Sequence, residues 1–278
     1  MASTVLRPGR VAVVTGAGSG IGLATSRRLA ALGMKVCLSD IAQHDLETAR
    51  ASVADTARGG AEDVLAVRAD VASRDDVLAL RRAVYGRFGE VALLVNNAVT
   101  RVGGGVFASH DDWRRALEVN FWGVVNGVQL FVPDMIAQGT ECMVVNVGSK
   151  QGITNPPGNA AYNVTKAALK TFTEALQHEL RNTARCRVSA HLLVPGWTTT
   201  GKREHKPGAW LPDQVVDVMF EGLAHGDFYI ICPDDEVTPE MDRKRILWAA
   251  GDVTDNRPPL SRWHPDFKQA FEEFVPPA

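Results

Sequence analysis

Near the start of the chain, Val11-Ala12-Val13-Val14-Thr15 runs directly into Gly16-Ala17-Gly18-Ser19-Gly20-Ile21-Gly22. The first five residues are mostly β-branched and apolar, which favours a buried strand. Apolar residues then recur at helical spacing over residues 21–32, so a helix is predicted there. A glycine-rich turn therefore joins a predicted strand to a predicted helix, and this unit opens the fold.

The same alternation continues along the chain. Further apolar runs predict strands at 35–39, 64–69, 91–95, 142–147, 187–194 and 228–232. Stretches with helical periodicity predict helices at 43–58, 73–88, 109–138, 160–181 and 212–223. Alternation of this kind is typical of βαβ units. The sequence therefore predicts an α/β fold, a single doubly wound Rossmann-type domain over residues 1–278. Its parallel sheet has about seven strands and helices on both faces.

The composition narrows the class of protein. The 278 residues are 45% hydrophobic and 22% charged, as in ordinary globular proteins, and the formal net charge is -2. That charge gives no electrostatic indication of a nucleic-acid partner or an anionic membrane surface. No signal peptide or spanning segment is recognisable, and the four cysteines form no CxxC pair. We therefore expect a soluble cytoplasmic protein without a metal site.

The glycine-rich turn has a chemical interpretation. From Thr15 to Gly22 it fits the pattern T-G-x-x-x-G-x-G. Glycines at these positions permit a tight turn and let the backbone approach a pyrophosphate at the amino end of the helix. We predict that Gly16, Ser19, Gly20 and Ile21 bind a dinucleotide. The alternative is a glycine-rich turn without a ligand.

Acidic residues at two strand ends extend this interpretation. Asp40 ends the second predicted strand, where a carboxylate accepts hydrogen bonds from an adenosine ribose and repels a 2′-phosphate. Neither Ser19 nor Ile41 offers a cation to attract that phosphate, so NAD is favoured over NADP. An ordinary strand-end aspartate is the alternative. Asp70 and Val71 end the third strand and are predicted to contact the adenine, although Asp70 is nearly as well explained as a helix cap.

Tyr162 and Lys166 carry the predicted acid–base chemistry. Residues four apart in a helix lie on one face, one turn apart. A lysine at this spacing lowers the pKa of a phenol, which makes the phenol a usable base near neutral pH. A surface Tyr–Lys pair without function remains the alternative at this point.

Several motifs together resemble the short-chain dehydrogenase/reductase family over about residues 10–200. They are the loop Thr15–Gly22, Asn96-Asn97-Ala98, Asn120, Ser149, Tyr162-x-x-x-Lys166 and Pro195-Gly196. The resemblance implies that Tyr162 is the catalytic acid or base and that Lys166 also binds the nicotinamide ribose. It implies that Ser149 holds the substrate oxygen and that Asn120 holds a relay water. A turn serine and a solvent-facing asparagine are the alternatives.

The resemblance also implies further ligand contacts. Besides Tyr162 and Lys166, the cofactor contacts would be Asn97, Ala98, Pro195, Gly196, Thr198 and Thr200. Two positions depart from the family pattern, since Val99 replaces a usual glycine and Thr198 a usual aliphatic residue. By family position the substrate pocket would comprise Val99, Gln151, Asn155, Trp197 and Trp210. Such a lining suggests a medium-sized, apolar or aromatic substrate.

The family pattern stops after Thr200. A short polar segment takes the position of the family's substrate lid, and residues 233–278 form an atypical C-terminal extension. We expect this extension to pack on the domain or on a neighbouring subunit. The family resemblance also implies a homo-oligomer, a dimer or a tetramer, formed through the helices at 109–138 and 160–181.

The sequence thus predicts an NAD(H)-dependent oxidoreductase that interconverts a secondary alcohol and a ketone. The alternative from another class is a non-catalytic dinucleotide-sensing or scaffold protein that retains the fold. An epimerase or dehydratase is less favoured, because further acid–base candidates are lacking.

Overall fold

The computed structural model describes residues 4–200 and 204–277 and contains a seven-stranded parallel sheet. Its strands are β1 Val11–Thr15, β2 Lys35–Asp40, β3 Val64–Arg68, β4 Leu93–Asn96, β5 Cys142–Val147, β6 Val188–Val194 and β7 Tyr229–Ile231. Their order across the sheet is β3-β2-β1-β4-β5-β6-β7. The predicted doubly wound fold is confirmed.

Ten α-helices lie in the described part of the chain. They are α1 Gly20–Ala31, α2 Gln43–Ala54, α3 Arg74–Phe88, α4 His110–Leu117, α5 Gly123–Ala137, α6 Gln151–Thr154, α7 Ala160–Asn182, α8 Pro212–His225, α9 Pro239–Thr254 and α10 Lys268–Glu273. Short 3₁₀ helices occupy Gly60–Asp63, Ser261–Trp263 and Pro265–Phe267.

The helices cover both faces of the sheet because side chains alternate along each strand. In β1, Val11 and Val13 pack with α3, α5 and α7 on one face. Ala12 and Val14 pack with α1, α2 and α8 on the other face. All five residues of β1 are buried, as a central parallel strand requires.

The strand order creates a crevice. From β1 the chain proceeds outward to β2 and β3, then returns to form β4 on the other side of β1. Loops that follow β1 and β4 therefore diverge at the carboxyl edge of the sheet. In open α/β sheets ligands bind at this switch point. The glycine-rich turn follows β1, and Asn97 follows β4.

The predicted single helix over 109–138 is wrong in one respect. Between α4 and α5 the residues Glu118–Trp122 form a π-helical segment, which contains Asn120. A π segment adds a residue to one turn and is frequent at functional sites. The hydrophobic pattern could not show this, because one extra residue barely changes the helical period.

The described part of the C-terminal extension consists largely of α9, two 3₁₀ helices and α10. Trp248 of α9 is 4% exposed. The rings of Phe271 and Phe274 meet it edge-on at 5.4 Å, and its indole N–H donates to Ser261 at 2.8 Å. The extension thus buries its own tryptophan. Among the described residues no helix is both long and apolar enough to cross a membrane.

Candidate active site

The glycine-rich turn is fastened to the end of β4. The Asn97 amide donates to the carbonyls of Thr15 and Gly16 at 2.9 and 3.0 Å. The Thr15 hydroxyl accepts from the backbone N–H groups of Asn97 and Ala98. A Cβ at Gly22 would lie 2.3 Å from the Gly16 carbonyl oxygen, so this approach requires glycine. The crevice at the switch point is therefore built by hydrogen bonds between the two loops that flank it.

The amino end of α1 suits a pyrophosphate. The side chain of Ser19, the N-cap residue, makes no capping hydrogen bond to the helix. The first N–H groups of a helix have no partner within the helix and favour a negative charge. A Cβ at Gly16 would lie 2.7 Å from the Ala98 Cα, so a side chain there would clash with the β4 loop. These residues fit a dinucleotide.

Asp40 lies at the far side of the same turn. Its carboxylate accepts from the Gly18 N–H at 2.9 Å and from the Ala42 N–H at 3.0 Å. These bonds fix a negative charge beside the amino end of α1, where an adenosine ribose would lie next to a bound pyrophosphate.

Two adjoining cavities bring the predicted cofactor residues together. The larger, of about 470 Å³, runs from the glycine-rich turn to Tyr162. The smaller, of about 370 Å³, shares Gly16, Asp40 and Val99 with it. Predicted residues that line the larger one are Gly16, Ser19, Gly20, Ile21, Asp40, Asn97, Val99, Ser149, Tyr162, Lys166, Pro195, Gly196, Thr198 and Thr200. Asp70, Val71 and Ala98 line the smaller one.

Ser149, Tyr162 and Lys166 meet at one end of the larger cavity. Tyr162 and Lys166 lie on α7, and the Lys166 Nζ is 5.7 Å from the centre of the Tyr162 ring. The Lys166 Nζ donates to the Val147 carbonyl at the end of β5 at 2.6 Å. Helix α6, which follows Ser149, packs closely on α7, since a Cβ at Gly152 would lie 2.5 Å from the Lys166 carbonyl carbon. Tyr162 and Lys166, which were predicted to lie on one face of a helix, therefore line the cavity together with Ser149.

The electrostatics of this cluster differ from the sequence-based argument. Burial raises the pKa of Tyr162, and the positive charge of Arg101 is the largest influence opposing that rise, followed by the Ser149 hydroxyl. Burial also lowers the pKa of Lys166 to about 7, and Arg101 adds to this effect. The sequence assigned the role of lowering the Tyr162 pKa to Lys166. In the folded chain Arg101 is the cation that does most to lower the pKa of Tyr162.

The lowered pKa of Lys166 predicts a pH dependence of stability. An exposed lysine has a pKa of about 10.4. Between pH 7 and that value the unfolded chain binds a proton that the folded chain lacks, so raising the pH favours folding. Relative to Lys166→Met, the unfolding free energy of the wild type should rise by up to about 1.4 kcal/mol per pH unit in this range. Urea unfolding at several pH values measures it. A difference in unfolding free energy between wild type and Lys166→Met that does not change with pH would contradict the lowered pKa of Lys166.

Asn120 does not line either cavity. Its side-chain oxygen accepts from the Thr100 N–H at 2.7 Å, and its amide donates to the Thr100 carbonyl at 3.0 Å and to Thr165 at 3.2 Å. Asn120 is 1% exposed. The π segment therefore directs this amide at the loop after β4, and the predicted relay role of Asn120 stays a prediction.

The loop after β6 is held by contacts with the C-terminal extension. The Asp234 carboxylate accepts from the Trp197 N–H at 3.0 Å. The Lys150 Nζ lies 2.6 Å from Asp242 and 3.5 Å from Asp234. A Cβ at Gly196 would lie 2.4 Å from the Asp234 carboxylate. In this cluster the partly buried Lys150 lies against the buried Asp234 and Asp242 and links the residue after Ser149 to the C-terminal extension.

Most of the predicted substrate-pocket residues lie outside the cavity lining. Val99 lines both cavities, but Gln151, Asn155, Trp197 and Trp210 line neither. Trp210 pairs with the 197–199 backbone and donates its indole N–H to Asp235. Asn155 accepts from Asn163 at 2.9 Å. The predicted lid begins at 201–203, which lie outside the described residues.

Arg101 was missed by sequence reasoning. It lines the larger cavity beside Thr100, and its guanidinium carbon lies 5.8 Å from the centre of the Tyr162 ring. Arg101 stands in an irregular loop, where no periodicity tells which way a side chain points. The only available signal was its position a few residues after Asn97.

The sheet order and the glycine-rich turn define a dinucleotide-binding α/β protein. A family model described as short chain dehydrogenase matches residues 10–208, so the chain belongs to the short-chain dehydrogenase/reductase family and is an oxidoreductase of that family. The confirmed resemblance covers the motifs from the glycine-rich turn to Gly196.

Individual relatives agree with this assignment. The putative oxidoreductase SadH of Mycobacterium tuberculosis is 41% identical over 193 residues, covering 69% of this chain and 68% of SadH. The 3-oxoacyl-[acyl-carrier-protein] reductase FabG of Thermotoga maritima is 34% identical, covering 88% of this chain and 91% of FabG. A short-chain dehydrogenase/reductase from Burkholderia phymatum, solved in complex with NAD, superposes with a TM-score of 0.82 at 32% identity. That alignment covers 91% of this chain and 96% of the other.

Proposed function

We propose that the protein is an NAD(H)-dependent oxidoreductase that interconverts a secondary alcohol and a ketone. One observation carries this proposal: a single cavity runs from the uncapped amino end of α1 to Ser149, Tyr162 and Lys166. A hydride carrier bound at α1 would therefore share one cleft with a proton-transfer group. The Burkholderia relative, solved with NAD, supports a dinucleotide in this crevice.

The residues divide the chemistry among them. A nicotinamide cofactor held in this cleft would supply the hydride chemistry at the substrate carbon. Tyr162 transfers the proton at the substrate oxygen, as base in oxidation and as acid in reduction. Ser149 donates to that oxygen and stabilises the charge that develops on it. Lys166, together with Thr198 and Thr200, would hold the nicotinamide end of the cofactor, and Asp40 the adenosine ribose.

A panel of secondary alcohols and ketones tests this function. We expect NAD-dependent turnover of panel members, followed as a change in NADH absorbance. Tight NAD binding without turnover of any member would favour the non-catalytic sensor instead. The medium-sized, apolar or aromatic substrate stays a prediction, and panel members of different size and polarity test it.

The choice between NAD and NADP is proposed to depend on Asp40. Replacing Asp40 with alanine removes a carboxylate that would lie close to a 2′-phosphate. Two like charges about 4 Å apart repel by several kcal/mol at the effective dielectric of a protein surface. We expect the ratio of kcat/KM for NADPH to that for NADH to rise about 10- to 100-fold. Asp55→Ala, which removes an exposed carboxylate elsewhere, is the control. A wild type that already prefers NADPH would contradict this proposal.

We also propose a homo-oligomer built on the helices that carry the site. Trp122 and Val164 are 52% and 45% exposed, which supports an apolar contact near α5 and α7. The C-terminal extension is proposed to complete the domain or to contact a neighbouring subunit. Sedimentation of the full chain distinguishes monomer, dimer and tetramer.

A further inference from the structure

Arg101 brings a positive charge to the reacting end of the cleft. It lines the same cavity as Ser149, Tyr162 and Lys166, with its guanidinium carbon 5.8 Å from the centre of the Tyr162 ring. Among residues 4–200 and 204–277, no carboxylate forms an ion pair with it. A cation in a cleft without a protein counter-charge is available to a ligand.

The backbone beside Arg101 is fixed. Asn120 binds both the N–H and the carbonyl of Thr100, at 2.7 and 3.0 Å, and is itself buried. The buried amide therefore holds the residue directly before Arg101. The side chain of Arg101, which is exposed, therefore extends from a backbone position that a buried amide holds in place.

The charges around the cavity are unbalanced. Arg101 and Lys166 lie at the reacting end, and the single acid among the described lining residues is Asp40. The Asp40 carboxylate is already bonded to the N–H groups of Gly18 and Ala42 beside the glycine-rich turn. A bound NAD⁺ would add its positive nicotinamide ring at the reacting end. The pyrophosphate of a dinucleotide would lie at the opposite end, at the amino end of α1, so the substrate is left to supply a negative charge beside Arg101.

We propose that Arg101 binds an anionic group of the substrate. This inference rests on the proposed function and specifies its substrate class: a ketone or secondary alcohol that also carries a carboxylate or a comparable oxyanion. A guanidinium presents paired N–H donors that match the two oxygens of a carboxylate. Arg101 is thus a specificity-determining residue, whereas Ser149 and Tyr162 act at the carbonyl.

A different role for Arg101 predicts different kinetics. If Arg101 acted only on Tyr162, its removal would reduce turnover of charged and neutral substrates alike and would shift the pH profile of kcat. If Arg101 binds an anion, its removal should raise KM for charged substrates selectively. Matched pairs of keto acids and their methyl esters separate these two roles.

The kinetic test compares wild type, Arg101→Gln and Arg101→Lys on such pairs. In Arg101→Gln we expect the ratio of kcat/KM for the keto acid to that for its ester to fall about 10- to 100-fold, mainly through KM. Arg101→Lys, which keeps a point charge, should retain part of the preference. Sulfonate and phosphonate analogues show which oxyanion is preferred. An unchanged acid-to-ester ratio in Arg101→Gln would overturn the proposal.

A binding test separates this inference from the proposed function. Titration calorimetry measures keto-acid binding to the NADH-saturated Tyr162→Phe protein, which still contains Arg101. Binding that is lost when Arg101→Gln is added supports the inference even if wild type turns over nothing, in which case only the proposed function fails. Turnover of esters without any Arg101-dependent binding of keto acids overturns the inference alone.

Discussion

Replacing Tyr162 with phenylalanine should lower kcat by about 100- to 10,000-fold while NADH binding is retained. A positioned general acid or base contributes rate factors of this size. The substitution removes one hydroxyl and leaves the ring, so the contacts of Arg101 and Lys166 with the ring face persist. Turnover is measured as NADH formation on the secondary-alcohol panel, and cofactor affinity as a change in protein fluorescence.

Tyr229→Phe is the matched control for this substitution. The Tyr229 hydroxyl donates to Glu174, neither residue lines either cavity, and Tyr229 is 46% exposed. The control removes the same atom from the surface, so kcat should be close to that of the wild type. Wild-type turnover by Tyr162→Phe would refute proton transfer by Tyr162. Loss of NADH binding would instead show that the hydroxyl helps to build the cofactor site.

Replacing Lys150 with methionine should destabilise the fold by about 3–5 kcal/mol. The substitution leaves Asp234 and Asp242, which are 7% and 6% exposed, without their shared cation. Removing one partner from a buried ion pair has this cost, because a charge stays buried without compensation. Urea unfolding of wild type and variant measures the difference.

The loss of unfolding free energy in Lys150→Met, called the deficit below, should depend on pH. Burial raises the pKa of Asp242, and the Lys150 charge opposes that rise. Without the lysine the pKa rises further, so the folded variant binds a proton at pH values where its unfolded chain does not. Stability then falls as pH increases. The deficit should therefore be smaller at mildly acidic than at mildly alkaline pH, and the opposite trend would contradict this account.

Lys170→Met is the control for a lost ion pair outside the core. Lys170 pairs with Glu174 one helical turn away on α7, and both side chains are about one third exposed. Exposed pairs contribute roughly 0–1 kcal/mol, so this change should be small. Lys150→Met should also reduce kcat, since Ser149 precedes Lys150 and the Asp234 carboxylate holds the backbone beside Gly196. Equal losses of unfolding free energy in Lys150→Met and Lys170→Met would show that the cluster does not stabilise the fold.

Several parts of the site follow from local sequence. The glycine-rich turn was recognisable because close backbone approach excludes side chains, as the contacts at Gly16 and Gly22 show. Tyr162 and Lys166 were recognisable because helical spacing alone brings them to one face. Each inference depends on residues that are close in the chain.

Other parts could not be predicted in this way. Lys150 meets Asp234 across 84 positions of the chain, so no local pattern joins them. Trp197 and Trp210 fitted the substrate pocket by family position, yet neither lines the cavity, and the Trp210 N–H donates to the Trp197 carbonyl at 2.8 Å. The π segment at Glu118–Trp122 changes the direction of Asn120 without a visible change in hydrophobic period.

By itself the sequence determined the doubly wound sheet, the glycine-rich turn at its switch point and the family to which the chain belongs, because periodicity and glycine sterics act over a few residues. Tertiary structure alone decided that Arg101 faces Tyr162 and that Asn120 binds the backbone of Thr100, the residue before Arg101. It also decided that Lys150, which is partly buried, joins the extension to the loop of Ser149. Side-chain direction in irregular loops is set by contacts between distant segments, and these contacts exist only once the chain has folded.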